Sequence, residues 1–184
     1  MHNILIIDCG SSKVPEIVKI VSGSNLQFKT QKLLELNSIN GFSHLIISGA
    51  PILLTEVDSS IYLEKAKIIF SNSAIPILGI CFGHQLMGLY NQAAIKRCNE
   101  SREYEEIAFN TKFELLSKVE NTQKFMEDHC ECIDLPKEFR LIASSKTCEN
   151  EVMQHKSNPW YGVQFHPESS GQIGKELIIN FINL

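Results

Sequence analysis

Apolar positions along the chain fall into short runs separated by polar punctuation, and the period of each run predicts an element. Asn3–Asp8 is an apolar run closed by an acid, which reads as a buried strand. Val14, Ile17, Val18 and Val21 recur at helical spacing within Ser11–Val21. Gln27–Leu34 is mixed and reads as a strand running into a short helix. His44–Ile47 is a second buried strand, followed by Ser48-Gly49-Ala50-Pro51. Ile61–Phe70 is helical, Ile75–Ile80 is a strand, and His84–Tyr90 is a helix. From Glu103 to Met153 the runs are shorter and strand-like, at Ile107–Phe109, Phe113–Leu116, Cys132–Leu135, Arg140–Ala143 and Glu151–His155. Tyr161–Phe165 is a last strand, and Gly174–Leu184 is a closing helix with Leu177, Ile178, Phe181 and Ile182 on its apolar side. Strands that are apolar throughout and alternate with helices predict an α/β fold with a mostly parallel sheet covered on both faces, and the later stretch adds a small antiparallel excursion.

Composition narrows the function. The chain has 184 residues, 43% hydrophobic and 21% charged, which suits one globular domain spanning residues 1–184. Seventeen Lys and Arg against 21 Asp and Glu give a net charge of −4, which excludes a globally basic nucleic-acid binder. No apolar run approaches the roughly 20 residues of a membrane helix, so no membrane partner is expected. The N-terminus meets Asp8 after four apolar residues and lacks the basic start of a secretory signal, so a cytoplasmic protein is expected. The six cysteines, irregularly spaced, then read as free thiols.

The most informative stretch is Gly79-Ile80-Cys81-Phe82-Gly83-His84-Gln85. A buried strand runs into Gly-x-Cys-x-Gly and a helix follows, the layout of a nucleophile elbow with Cys in the nucleophile position. Both glycines let strand and helix approach closely. The helix N-terminus favours a thiolate at Cys81, and the N–H of Phe82 is placed to hold an oxyanion. By composition alone the motif should arise roughly 0.02 times in a chain like this.

An activated thiol needs a base, and the base needs an orienting acceptor. Tyr161-Gly162-Val163-Gln164-Phe165-His166-Pro167-Glu168 offers both. In an extended segment His166 and Glu168 share a side, with Pro167 stiffening the link. The small residues Ser48-Gly49-Ala50-Pro51 after a strand allow a ligand to approach the backbone. His129-Cys130-Glu131-Cys132 is too tightly spaced for a zinc motif and has no second cluster, so no metal site is expected. His84, on the first turn of the helix, reads as structural.

Together the Cys81 elbow and the His166-Pro167-Glu168 motif resemble the class I (triad) glutamine amidotransferase family, over essentially the whole chain. The resemblance implies a flavodoxin-like three-layer α/β sandwich and a triad of Cys81, His166 and Glu168. It further implies an oxyanion site from Phe82 and the Gly49–Ala50 turn. Gln85, Asp128 and His129 would contact the substrate glutamine. The fuller likeness is to the glutaminase part of GMP synthases, carried by Arg102-Glu103-Tyr104, Glu151–Lys156 and Gly174–Phe181. Such a domain releases ammonia from glutamine and passes it to a synthetase partner of the ATP-pyrophosphatase type. ATP and Mg²⁺ would belong to that partner, with no cofactor in this chain. The chain ends where a fused synthetase would begin, which suits a two-subunit form. Three departures stand out: Ala50 where the family has Gly, Asp128-His129-Cys130-Glu131 where it has Ser-His-Gly-Asp, and Ser169-Ser170 after the triad acid. The glutaminase of anthranilate or aminodeoxychorismate synthase, a free-standing γ-glutamyl hydrolase, and a non-catalytic regulatory subunit remain open readings.

Overall fold

Four apolar strands lie side by side because none has a polar face to offer water. A computed structural model describes residues 2–71, 73–116 and 122–184. Its first half runs β1 (Asn3–Asp8), α1 (Val14–Ser22), β2 (Gln27–Lys32), a 3₁₀ turn at Leu33–Glu35, β3 (His44–Ile47), α2 (Ser60–Phe70), β4 (Ile77–Ile80) and α3 (Phe82–Tyr90). Its second half runs β5 (Ile95–Ser101), β6 (Tyr104–Phe109), β7 (Thr122–Met126), β8 (His129–Ile133), β9 (Phe139–Ser144), β10 (Val152–His155), β11 (Trp160–Val163), a 3₁₀ turn at Pro167–Ser169, and α4 (Gly171–Ile182).

One nine-stranded sheet has the order β2-β1-β3-β4-β11-β10-β9-β6-β7, and β5 and β8 form a separate ribbon. β2, β1, β3, β4 and β11 are parallel, whereas β10, β9, β6 and β7 continue the same sheet antiparallel. Successive side chains of β1 point to opposite faces. Ile4 and Ile6 join a core under α1 and α4, with Val14, Ile17, Leu177 and Phe181. Leu5 and Ile7 join a second core under α2 and α3, with Ile69, Phe70, Leu86 and Met87. Helices on both faces make the expected three-layer flavodoxin-like sandwich.

Several expectations need correction. Phe113–Leu116 is apolar but forms a turn; Phe113, Leu115 and Leu116 are buried plugs in the first core. The Cys132–Leu135 strand lies earlier, as β8 at His129–Ile133. β5 and β7 were not expected, because their sequences are mostly polar. The last strand ends at Val163, before the His-Pro-Glu motif. Cys98 and Cys132 are not free thiols here. A disulfide joins them across 34 residues, because antiparallel pairing of β5 with β8 brings their Cα atoms to 5.9 Å.

Candidate active site

β4 and β11 are parallel neighbours that end at the same level, Ile80 opposite Val163. The segments that follow them therefore emerge together at the carboxyl edge of the sheet, where open α/β sheets place their sites. The Cys81 N–H donates to the Val163 carbonyl at 2.8 Å, joining the two exits directly.

Cys81 sits between β4 and α3 with φ +49° and ψ −103°, a strained conformation for a residue with a side chain. The flanking glycines are required by contact. A Cβ on Gly79 would lie 2.6 Å from the Gly83 carbonyl, and one on Gly83 would lie 2.4 Å from the Ile47 carbonyl oxygen. Neither neighbour can move without shifting backbone. Phe82 opens α3, so its N–H belongs to the first turn, where donors lack intrahelical acceptors.

His166 and Glu168 meet as expected, by a different route. The chain turns at His166 into the 3₁₀ turn Pro167–Ser169 rather than remaining extended. His166 Nδ1 and Glu168 Oε1 are 2.6 Å apart, and both residues are buried. The His166 backbone N–H donates to the Met126 carbonyl, and the His166 carbonyl accepts from the Ser170 hydroxyl at 2.6 Å. Burial alone would lower the His166 pKa; the Cys81 sulfur and the Glu168 carboxylate outweigh it and lift the value to about 9. A Cβ on Gly49 would lie 3.0 Å from His166 Cε1 and 3.7 Å from Cys81 Cβ. The Gly49–Ala50 turn thus abuts Cys81 and His166 together. Ala50 is not among the residues with positive φ, so its Cβ introduces no backbone strain.

These elements border an open cavity of about 460 Å³, lined among others by Cys81, His166, Ala50, Gln85, Asp128 and His129. Gln85 is 3% exposed and donates to the Glu131 carbonyl at 3.0 Å and to Gln164 Oε1 at 3.2 Å. Gln164 Nε2 in turn stands 3.6 Å from Cys81 Sγ. Asp128 pairs with Lys13, and Arg102 stands 4.0 Å from its other oxygen. Partial burial pushes the Asp128 carboxyl up, but the Lys13 ammonium more than offsets it and holds the group below its ordinary value. The His129 imidazole is turned away from solvent toward Glu127 and the Cys98–Cys132 pair. Glu131 is 1% exposed, and its carboxylate accepts the N–H groups of Leu54 and Thr55 at 2.8 and 2.9 Å.

Sequence reasoning missed Gln164, although it lies inside the quoted motif, and it missed Lys13. Nothing in a Ser-Ser-Lys turn identifies a partner 115 residues away. His84 is fully buried, and burial lowers its pKa to about 3, so it is a neutral packing residue against Gly162.

The family model for class I glutamine amidotransferases matches residues 5–184. The chain belongs to the class I glutamine amidotransferase family. Among curated relatives, a glutamine-hydrolysing GMP synthase subunit of Pyrococcus abyssi is 32% identical, covering 98% of this chain and 97% of the relative. Its counterpart of the same name in Methanocaldococcus jannaschii is also 32% identical, covering 97% and 95%. The amidotransferase fold is shared with a solved Thermoplasma acidophilum protein assigned to the same GMP synthase component, with a TM-score of 0.90 and 25% identity over 100% of this chain and 93% of that one. No helix among the described residues of this amidotransferase is long and apolar enough to cross a membrane.

Proposed function

We propose that this chain is a single-domain glutaminase subunit that supplies ammonia to a separate synthetase subunit, for the amination of XMP to GMP in the cytoplasm. The relatives' shared name and near-complete coverage support the acceptor and the partner. The observation that carries the chemistry is Cys81 at the strained elbow, beside a His166–Glu168 pair held at 2.6 Å.

In this reading the Cys81 sulfur attacks the side-chain amide carbon of glutamine. The carbonyl oxygen becomes an oxyanion held by the N–H of Phe82 and an N–H of the Gly49–Ala50 turn; one such donor lowers the barrier by about 3–4 kcal/mol. His166, which holds the proton given up by the Cys81 sulfur, passes it to the departing nitrogen as the C–N bond breaks. Ammonia leaves, and a γ-glutamyl thioester remains on Cys81. His166 then takes a proton from water, which attacks the thioester; glutamate departs and the thiol is restored. Glu168 holds the imidazole tautomer and stabilises its cation. Asp128 faces the substrate's ammonium, and Lys13 and Arg102 face its carboxylate. Gln85 and His129 shape the wall behind it.

The test is glutamate release from glutamine by the purified chain, beside Cys81→Ala, alone and with a GMP synthetase subunit, ATP, Mg²⁺ and XMP. The expected result is release that disappears in the variant, with GMP formed only in the full mixture. Equal release by Cys81→Ala would end the triad reading. Release with no GMP would leave a glutaminase with another acceptor.

A further inference from the structure

We propose that Cys98, His129 and Cys132 form a zinc-binding site behind the wall of the glutamine cavity. The three donor atoms lie within 4.8 Å of one another, although their residues come from two strands. The β5–β8 ladder pairs Arg97 with Glu131 and then breaks register before Ser101. A regular continuation would set Cys98 opposite Cys130. The break lets it meet Cys132 instead, with Cα atoms 5.9 Å apart. Cys130 takes no part: its sulfur accepts from the Arg97 guanidinium at 3.0 Å. The close Cys130–Cys132 spacing, which argues against zinc when read along the chain, is therefore irrelevant to the site.

The imidazole supplies the strongest geometric argument. His129 Nδ1 stands 3.5 Å from Cys98 Sγ and 4.0 Å from Cys132 Sγ. Tetrahedral zinc with Zn–S of about 2.3 Å and Zn–N of about 2.0–2.1 Å separates a sulfur from a nitrogen ligand by about 3.6 Å. The other ring nitrogen, Nε2, is 3.2 Å from a Glu127 carboxylate oxygen, and both side chains are sealed from solvent. Nδ1 is the ring nitrogen that faces both sulfurs, so it is the one placed to ligate.

Thiolate and imidazole donors select zinc over magnesium or calcium. Binding releases two thiol protons, and the two thiolates neutralise the dication. The fourth position goes to water, reached past the half-buried Cys98. The same sulfurs form the disulfide of the oxidised chain; the metal belongs to the dithiol form, which reducing compartments maintain. A bound ion would tie β5 to β8 directly behind Asp128 and Glu131.

The test uses the full chain purified under a phosphine reductant, exposed to zinc and dialysed, with metal measured by mass spectrometry and thiols titrated after denaturation. One zinc per chain with all six thiols reactive is expected. Cobalt(II) in its place should show thiolate-to-cobalt charge transfer and the visible bands of a tetrahedral ion. Cys98→Ser and Cys132→Ser should lose the metal, and Cys130→Ser should keep it. His129→Ala should weaken binding and shift the cobalt bands. If the cysteine variants do not fold, the cobalt spectrum of the unsubstituted chain and the His129→Ala affinity decide the matter. A reduced chain that retains no zinc and gives no charge transfer would overturn the proposal. Zinc retained equally by Cys98→Ser would overturn it too, as would a pair that stays disulfide-bonded under reductant.

Discussion

Two walls of the cavity are held by different means. On one, Cys81 is fixed by backbone contact: Gly79 packs on Gly83, Gly83 packs on Ile47, and the Cys81 N–H is bonded to Val163. On the other, Asp128–Glu131 are fixed by side chains: Asp128 by Lys13, His129 by the cysteine pair, and Glu131 by the amides of Leu54 and Thr55. Close packing tolerates no added atom, whereas a charge-assisted bond can be weakened by degrees. The Cys81 wall should therefore fail abruptly and the Asp128–Glu131 wall gradually.

The largest expected effect is at the proposed triad. Glu168→Gln should lower kcat on the order of 10²–10⁴-fold. It should also move the His166 pKa down from about 9 toward its ordinary 6.5, followed by NMR of the ring. Because the folded value is the higher one, the pair adds stability that is complete below about pH 6.5 and fades as pH rises through about 9. The melting-temperature gap between wild type and Glu168→Gln should narrow over that window. A gap that widened with pH would contradict the raised His166 pKa.

Next comes Gly83→Ala, whose new methyl meets the Ile47 carbonyl oxygen at 2.4 Å. The loss should reach or exceed the upper end of the about 1–3 kcal/mol typical of overpacking, read from urea unfolding. Glu131→Gln tests the other wall. It weakens three charge-assisted bonds, from the Leu54 and Thr55 N–H groups at 2.8 and 2.9 Å and from the Thr55 hydroxyl, each contributing about 1.5–3 kcal/mol. A raised KM for glutamine with kcat nearly intact is expected; an equal fall in kcat would mean that the two walls are not independent. Smallest is Lys96→Ala, which removes an exposed pair with Asp134 on the ribbon's outer face. No measurable change in melting temperature or activity is expected.

The difference between the walls also governs how much of the molecule could be read in advance. β1, β3 and β4 are buried on both faces, so each is an unbroken apolar run, and the elbow's glycines advertise the contacts they permit. β5 reads Ile-Lys-Arg-Cys-Asn-Glu-Ser with mostly exposed positions, and so carries no strand period to detect. Phe113–Leu116 has the opposite fault: it is apolar enough for a strand but is shaped by the core it plugs. The pairing of Glu131 with Leu54 and Thr55, of Lys13 with Asp128, and of Cys98 with Cys132 spans 34 to 115 residues. Local pattern has no reach over such separations. Asp128 and His129 could be nominated by likeness alone, but what holds them could not.

The backbone at Cys81 carries an implication for descent. A residue with a side chain is held there at φ +49°, where only glycine would rest without strain. While the thiol is needed, selection holds the cysteine against its own backbone. In a lineage released from that need, the position should drift to glycine sooner than to alanine or serine, and the fold should become more stable as it does. A homologue with Gly-x-Gly-x-Gly at this turn would then be a retired enzyme, with its loss of chemistry written as a gain in rest.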